Sequence, residues 1–569
     1  MSTNQTLISL LVQRINEDHK RPALVGKSGG RYESLTWGEL GDRVCQLAVA
    51  LIRSGVEPGD RVVQVSENRL EWIVCDLAIQ LARAVHVPLH ATLSGRQIVE
   101  QVVDSGATKI FLSDCSQLTK VTDRIAELPG PLDYWVFDAS DDRPEGIKVA
   151  SLAQLEDCGD LSEVDRVLEE AQQQVTPDTL ATMIYTSGTT GEPKGVMLTH
   201  GNLYSNTEAT IAAIEMSRED RRLTFLPLSH VFARTCDLYT WLMIGYELSL
   251  AETRETVLSD CQEIKPTTLN GVPYFFDKVR RYLISERAEV EVGALRDLLG
   301  GRMRMCCSGG AALPEHVFEF YWQQQVPLLE GYGLTETSPV ITVSTPKHYR
   351  RNSAGRAISG VEIRIENEEI LTRGPHVMRG YYRKPDATQE VIRDGWFYTG
   401  DLGHLDKDGF LFITGRRKEL LVLANGKNVA PVYLESLLLE EPLIAQVLVV
   451  GDHRSFLSAL LVPDCELLKK TIQEHEWMAE SDHEQTWQAV LSGPQVIKLF
   501  SSVIARQLSE VSHHEQVRRF SLLPQPFSIE RGEVTAKLSL RREVIGEHYS
   551  PQIEAMYEAD WRGPVVTVE

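Results

Sequence analysis

Tyr185-Thr-Ser-Gly-Thr-Thr-Gly-Glu-Pro-Lys-Gly195 is the stretch on which the reading of this chain turns. It directly follows Leu180-Ala-Thr-Met-Ile184, an apolar run of the length of a buried strand. Gly188, Gly191 and Gly195 permit tight turns and leave backbone N–H groups exposed. Four aliphatic hydroxyls, on Thr186, Ser187, Thr189 and Thr190, add donors, and Lys194 adds a positive charge. Together these groups suit a polyphosphate. The run is not a Walker loop, because Gly195 stands where Ser or Thr must follow the lysine. The competing reading is a plain Gly/Thr turn between strands, but a generic turn rarely concentrates these residue types.

Around this stretch the first third of the chain alternates helix and strand signals. Thr36-Trp-Gly-Glu39 has the form of a capping box, Leu40, Val44, Leu47, Ala48 and Leu51 follow at helical spacing, and Gly55 closes the helix. Arg61–Val65 reads as a strand, 68–84 as a second helix and 84–87 as a strand ending before Pro88, with further strands at 109–112 and 134–137. Strands separated by helices imply crossover connections and mostly parallel sheets. From about 355 the texture changes to hairpins: 361–366, 369–372, and 403–405 with 410–413 around Asp406-Lys-Asp-Gly409. After a boundary near 415–418 comes an α+β stretch, with a helix near 431–440, strands near 446–451 and 457–462, and polar helices to about 511.

Composition narrows the function class. The 569 residues carry 58 Lys and Arg against 80 Asp and Glu, a net charge of −22 that repels phosphodiester backbones and excludes a dedicated nucleic-acid binder. Nine scattered cysteines without a CxxC pair suggest free thiols in a reducing compartment. The N-terminus carries Glu17 and Asp18 soon after a short apolar run, a poor signal peptide, and no stretch approaches the length of a membrane span. A cytoplasmic protein is expected, with transient membrane contact compatible. His513-His514 reads as a helix-surface pair, and no His/Cys cluster or G-x-S-x-G elbow is present.

Further segments carry chemistry. Tyr332, between Gly331 and Gly333, offers an aromatic face where backbone approaches closely; core packing is the alternative. Glu336 is a hard oxygen donor suited to Mg²⁺, or else a surface carboxylate. Asp401 can accept two hydroxyls, or else shapes a turn after Thr399-Gly400. His230, in Pro227-Leu-Ser-His-Val-Phe-Ala-Arg234, is a wall or gate residue, or a satisfied core histidine. Lys537 alone reads as an exposed lysine in a basic run.

Taken in order, these segments resemble the signatures of the adenylate-forming superfamily, which includes acyl-CoA synthetases, adenylation domains and firefly luciferase. The 185–195 loop is similar to its phosphate loop, Gly331-Tyr-Gly-Leu-Thr-Glu336 to its adenine and magnesium segment, and Tyr398-Thr-Gly-Asp401 with Gly415-Arg416 to its ribose segment and hinge. Glu533-Val-Thr-Ala-Lys537 resembles the segment bearing its catalytic lysine, although Val-Thr-Ala stands where many members have Pro-Thr or Gly-Lys. The likeness spans roughly residues 30–545. It implies an α/β fold: a large N-terminal domain, 1–415, of stacked α/β layers plus a distorted β-barrel, and a small mobile α+β lid, 416–569.

The resemblance also implies roles. Lys194, His230 and Lys537 are the catalytic candidates. Thr186, Ser187, Gly188, Thr189, Thr190, Gly309, Gly310, Ala311, Glu330, Gly331, Tyr332, Gly333, Thr335, Asp401 and Arg416 would bind ATP, with Thr186 and Glu336 toward Mg²⁺. Lys418 would be the hinge, and Asn425, Gly426 and Lys427 the coenzyme A side of the rotated lid. The expected reaction joins Mg-ATP and a carboxylic acid to acyl-AMP and pyrophosphate, then passes the acyl group to coenzyme A. His-Val-Phe-Ala-Arg, 374–382 and 425–431 look most like bacterial long-chain fatty acyl-CoA synthetases. The near alternative is a fatty acyl-AMP ligase serving a carrier protein, disfavoured because 337–415 holds no obvious insertion. A non-catalytic binding homologue would be expected to lose Glu336, Asp401 or Lys537, and all three are present.

Overall fold

The structure is a computed structural model that describes residues 5–28, 31–138, 144, 146–157, 159–187, 193–286, 289–475, 477, 487–528, 530–534 and 540–566. The chain forms two compact units. The first comprises Met1–Gly310, Phe320–Arg364 and Leu371–Thr399; the second comprises Ala311–Glu319, Ile365–Ile370 and Gly400–Glu569.

Among the described residues the first unit is built on two large sheets flanked by helices. An eight-stranded sheet runs in the order Gly380–Tyr381, Pro193–Thr199, Leu180–Ser187, Val85–Leu89, Arg61–Val65, Lys109–Leu112, Asp133–Val136 and Val149–Ser151. From Leu180–Ser187 to Val149–Ser151 its pairings are parallel, as crossover connections require. The strand expected to stop before Pro88 continues through it, with Pro88 opposite Gln64. The expected capping box is present: Glu39 N–H donates to Thr36 Oγ1 at 3.2 Å, and Thr36 N–H donates to Glu39 Oε2 at 2.8 Å. It opens the helix Trp37–Arg53, whose apolar face buries Trp37 against Trp241 with ring centroids 4.3 Å apart.

A nine-stranded sheet forms the other layer, with Leu328–Gly333, Met305–Ser308, Thr268–Gly271, Arg221–Thr224 and Glu247–Leu250 adjacent in that order and parallel. Between the layers runs a helix that widens to π geometry over Arg234–Tyr239, and it carries two buried ion pairs. Asp237 meets Arg222 at 3.0 Å and accepts from Thr224 Oγ1 at 2.6 Å and Asn270 Nδ2 at 2.7 Å, all from the nine-stranded sheet. Arg234 turns the other way: it pairs with Asp76 of the helix Leu70–Leu81, donates to Thr182 Oγ1 at 2.7 Å and lies 2.8 Å from His86 Nδ1, the last two on the eight-stranded sheet. Single π turns of this kind recur at functional sites.

Burial leaves three histidines of this unit neutral. Burial and then Arg234 push His86 down to about 4. Burial, opposed by Asp76, carries His200 to about 3, and burial alone carries His376 to about 4. The unfolded chain protonates all three near pH 6.5, while the native state resists until about pH 4, so unfolding takes up protons below pH 6.5. Stability is therefore full above pH 6.5 and falls toward pH 4, by up to about 1.4 kcal/mol per pH unit for each histidine. Urea midpoints for this unit, followed by amide exchange in 85–89 and 200–214, should drop sharply between pH 7 and 5. A flat profile would show that these side chains gain protons without unfolding.

Of the strands expected in a barrel, Trp396–Leu405 pairs antiparallel with Ile392–Arg393 and with Leu411–Arg416. The units divide at Gly400, within Trp396–Leu405. In the second unit, Ile444–Val450, Leu457–Pro463 and Val517–Leu522 form a small mixed sheet. Its core gathers Leu434, Leu438, Phe500 and Phe520, all fully buried, beneath helices Pro431–Leu439 and Pro494–Gln507. His513 and His514, expected on a helix, sit in a turn closed by Glu515 N–H donating to Ser512 O at 2.8 Å.

Candidate functional site

Within 185–195 the described residues lie on two strands, Leu180–Ser187 and Pro193–Thr199, paired antiparallel with Thr186 opposite Lys194 and Ser187 opposite Pro193. The strand runs on to Ser187, past the apolar run, because Thr and Tyr also suit strands. The expected phosphate-binding residues Gly188, Thr189 and Thr190 lie outside the described residues. Gly195 is required by packing, since a Cβ there would come within 2.7 Å of Met183 Sδ.

After the hairpin, Thr199 caps the helix His200–Ile214 through a capping box. Two amides of this helix hold distant segments. Asn202 Nδ2 donates to Pro375 O at 2.8 Å and Val377 O at 2.9 Å. Asn206 Nδ2 donates to Val340 O at 2.7 Å and its Oδ1 accepts from Val340 N–H at 3.1 Å. Backbone just after Glu336 and just before Tyr381 is thereby fixed to one element.

The remaining first-unit candidates collect at the carboxyl ends of the parallel strands, where open α/β sheets bind ligands. Ser308 pairs with Glu330 across adjacent strands, so Gly309 and Gly310 run beside Gly331, Tyr332 and Gly333. The 225–230 segment leaves the strand Arg221–Thr224, separated from Met305–Ser308 by Thr268–Gly271; Asn68 pins it by donating to Leu226 O at 2.7 Å and accepting from Leu228 N–H at 2.8 Å. His230 caps the next turn, its Nδ1 accepting from Phe232 N–H at 3.2 Å. A Cβ on Gly309 would stand 3.2 Å from the Phe232 ring, so this segment and the glycine turn are in contact. Gly310, at φ +85°, needs the freedom of glycine. Gly333 needs it for a different reason than ligand approach: a Cβ there would lie 1.7 Å from Pro339 O. Thr335 is buried in the short turn Thr335–Thr337.

Glu336 and Lys194 are joined by a residue the sequence reading did not single out. The buried Tyr381 hydroxyl donates to Glu336 Oε1 at 2.9 Å, and Lys194 Nζ lies 5.0 Å from the centroid of the same ring. Burial, with the Glu336 carboxylate next, raises the Tyr381 phenol above its ordinary range, so it stays a donor. Tyr381 was visible only as part of 374–382. Its signal was the Gly380-Tyr381 pair after an extended run.

In the second unit, Asp401 lies directly opposite Arg416, whose Nε donates to Asp401 Oδ1 at 2.7 Å; Asp401 is buried. Beside it Gly400 N–H donates to Glu369 Oε1 at 2.9 Å, and Arg417 pairs with Glu369. Lys418 sits in the single turn Arg417–Glu419. Asn425, Gly426 and Lys427 form an exposed tight turn between Leu421–Val422 and Asn428–Val429, with Gly426 at φ +79°. Ala311 opens the 311–319 segment of this unit. Lys537 lies outside the described residues.

Among the described residues no group of three or more His, Cys, Asp or Glu side chains is placed to hold a metal. Mg²⁺ asks for less: one or two carboxylates, with phosphate and water completing its shell. Glu336 fits that role, since Tyr381 engages Oε1 and Oε2 has no protein donor among the described residues.

A family model described as AMP-binding enzyme matches residues 11–382, and one described as AMP-binding enzyme C-terminal domain matches residues 418–560. Long-chain-fatty-acid–CoA ligase FadD15 of Mycobacterium bovis is 33% identical over 577 residues, covering 93% of this chain and 93% of that protein. Long-chain-fatty-acid–CoA ligase ACSBG2 of Rattus norvegicus is 28% identical over 636 residues, covering 98% of this chain and 93% of its own. The A domain of carboxylic acid reductase from Segniliparus rugosus, solved with AMP and a co-purified carboxylic acid, superposes with a TM-score of 0.78 at 22% identity, over 97% of this chain and 94% of that one. O-succinylbenzoate coenzyme A synthetase from Bacillus subtilis, solved with ATP and magnesium ion, gives 0.70 at 24% identity, over 94% and 98%. At these identities the structural likeness is one of fold.

Proposed function

Because the chain belongs to the AMP-binding enzyme family, we propose that it is an acid–thiol ligase that activates a fatty carboxylic acid with ATP and passes it to coenzyme A. The observation that carries this reading is the convergence at one sheet edge of 225–232, 309–310 and 331–336, with Glu336 linked through Tyr381 to Lys194 of the hairpin. The full-length likeness to curated long-chain-fatty-acid–CoA ligases supports the choice of substrate and acceptor.

In the first half-reaction a carboxylate oxygen attacks the α-phosphorus of ATP, the bond to the bridging oxygen breaks, and pyrophosphate leaves. This replaces a poor leaving group on the acyl carbon by AMP. Mg²⁺, when bound, neutralises charge on phosphate oxygens. Glu336 would hold it, Lys194 and Thr186 would face the phosphates, the Tyr332 ring the adenine, and Asp401 with Arg416 the ribose. His230 and Phe232 would border the carboxylate. In the second half-reaction the thiol sulfur attacks the acyl carbon, AMP leaves and the thiol proton is lost, with Asn425–Lys427 on the acceptor side.

An apolar surface supports an alkyl chain as the rest of the acid. Phe232 packs against an apolar cluster that includes Cys236, Cys307, Leu329, Val340, Val343 and Ile358, with Ala209 and Ile214 of the helix His200–Ile214.

Pyrophosphate release across a panel of acids, with and without coenzyme A, tests the reading. Release with fatty acids and formation of the thioester are expected. Acid-dependent pyrophosphate without any thioester would move the acceptor to a carrier protein, and no ATP–pyrophosphate exchange with any acid would leave only a binding role. No helix among the described residues is long and apolar enough to cross a membrane.

A further inference from the structure

The segment 378–382 touches the hairpin and Glu336 at once. Its backbone forms a short strand on the second hairpin arm, with Gly380 opposite Met197 and Tyr381 opposite Val196. Arg379 N–H donates to Met197 O at 3.0 Å and Tyr382 N–H to Gly195 O at 2.8 Å. On the other side Met378 N–H donates to Glu336 O at 2.8 Å. Between these anchors Tyr381 presents its ring to Lys194 and its hydroxyl to Glu336, residues 142 apart in the chain. The pose of Tyr381 is itself braced, because its N–H donates to Thr388 Oγ1 at 2.9 Å. Gly380, at φ +144°, is required there, since a Cβ would come within 2.8 Å of Thr388 Cγ2.

We propose that Tyr381 is a positioning residue that sets Glu336 for a divalent cation and the Lys194 ammonium for the adjoining phosphates, coupling the two halves of the Mg-nucleotide site. The inference rests on the adenylation reading and adds a residue to it. With Oε1 held by the hydroxyl, the carboxylate has one fixed rotamer and Oε2 is the oxygen presented to the cation. Phosphate-bound Mg²⁺ has a demanding octahedral geometry, so a carboxylate free to rotate binds it less well. The same ring supports Lys194 by cation–π attraction, which limits the positions its flexible stem can sample. Neither effect needs Tyr381 to touch the reacting atoms.

Two substitutions separate the parts. Tyr381→Phe keeps the ring and removes only the hydroxyl, so it is expected to raise half-saturating Mg²⁺ by about 10-fold while leaving the maximal rate at saturating Mg²⁺ within about twofold. Tyr381→Leu removes the ring as well and is expected to raise the KM for ATP in addition. Binding gives a readout apart from turnover. Mn²⁺ titrated into enzyme saturated with a non-hydrolysable ATP analogue, followed by electron paramagnetic resonance, should bind Tyr381→Phe about 10-fold more weakly than wild type. A side chain that only braced the fold would lower the melting temperature and leave these half-saturation values in place. Equal Mn²⁺ affinity in wild type and Tyr381→Phe overturns the positioning role and leaves the adenylation reading standing. A wild-type chain that binds no Mn²⁺–nucleotide overturns both.

Discussion

Asp76→Asn should cost the first unit about 3–5 kcal/mol, the usual penalty for leaving one charge of a buried pair without its partner. Asp76, Arg234 and His86 are all fully buried. The arginine is satisfied on every side: Nε donates to Tyr239 O–H at 2.7 Å, Nη1 to Thr182 Oγ1 at 2.7 Å, and Nη2 to the carboxylate of Asp76. Asp76 accepts further bonds from Gln80 Nε2 at 3.0 Å and Tyr239 O–H at 3.2 Å. Against burial that would raise it, Arg234 and His86 hold its carboxyl at about 2. The neutral amide keeps the shape and removes the counter-charge. Asp76→Leu combined with Arg234→Met removes both charges and should recover more than half of the loss. Urea midpoints of the single and double variants measure this, and a single-variant cost below about 1 kcal/mol would show that the network is not what holds the π turn.

That network was the part of the fold least legible in the sequence, and the reason is physical. The helix Trp37–Arg53 could be read from Thr36 and Glu39 because a capping box is local, and the parallel strands from runs such as Lys109–Leu112 because burial on both faces leaves an apolar trace. Asp76 and Gln80 are two buried polar residues four apart in the helix Leu70–Leu81, and the sequence analysis did not single them out. Arg234, the partner of Asp76, lies 158 residues beyond it, and nothing local announces such a pairing. Tyr381 is the same case at the site. The hairpin and the Gly331–Gly333 run were legible as segments because glycine, hydroxyl and charge cluster in sequence. Which glycine serves the fold was not: Gly333 yields to Pro339 O, six residues on, through a turn that only the folded chain reveals. The roles proposed for Asp401 and Arg416 came from resemblance, while their opposition across one ladder, 15 residues apart, is a property of the hairpin between them.

Lys537→Ala should lose adenylate formation by about 100–1,000-fold, roughly 3–4 kcal/mol, the cost typical of removing one preorganised donor from a developing charge. The proposed chemistry places the greatest build-up of charge at the α-phosphate during acid attack, where Lys194 and Glu336 act on the phosphates beyond it. A lysine ammonium between the carboxylate and the α-phosphate would stabilise both the incoming oxygen and the five-coordinate centre. Lys537 is the candidate for that charge in Glu533-Val-Thr-Ala-Lys537, and its flank is anchored, since Glu533 is buried and pairs with Arg531 at 2.7 Å and His548 at 3.0 Å. The second half-reaction needs no such charge, because the phosphorus is already tetracoordinate and AMP only departs. Given preformed acyl-adenylate and coenzyme A, Lys537→Ala should therefore make thioester at close to the wild-type rate. If Lys418 is the proposed hinge, Lys418→Pro should show the opposite split, because fixing φ there hinders rotation while permitting one closed state. Rapid-quench measurement of each half-reaction separates the two. Equal loss of both steps in both variants would rule out a lid that alternates between them, and would leave Lys537 as a general electrostatic or structural support.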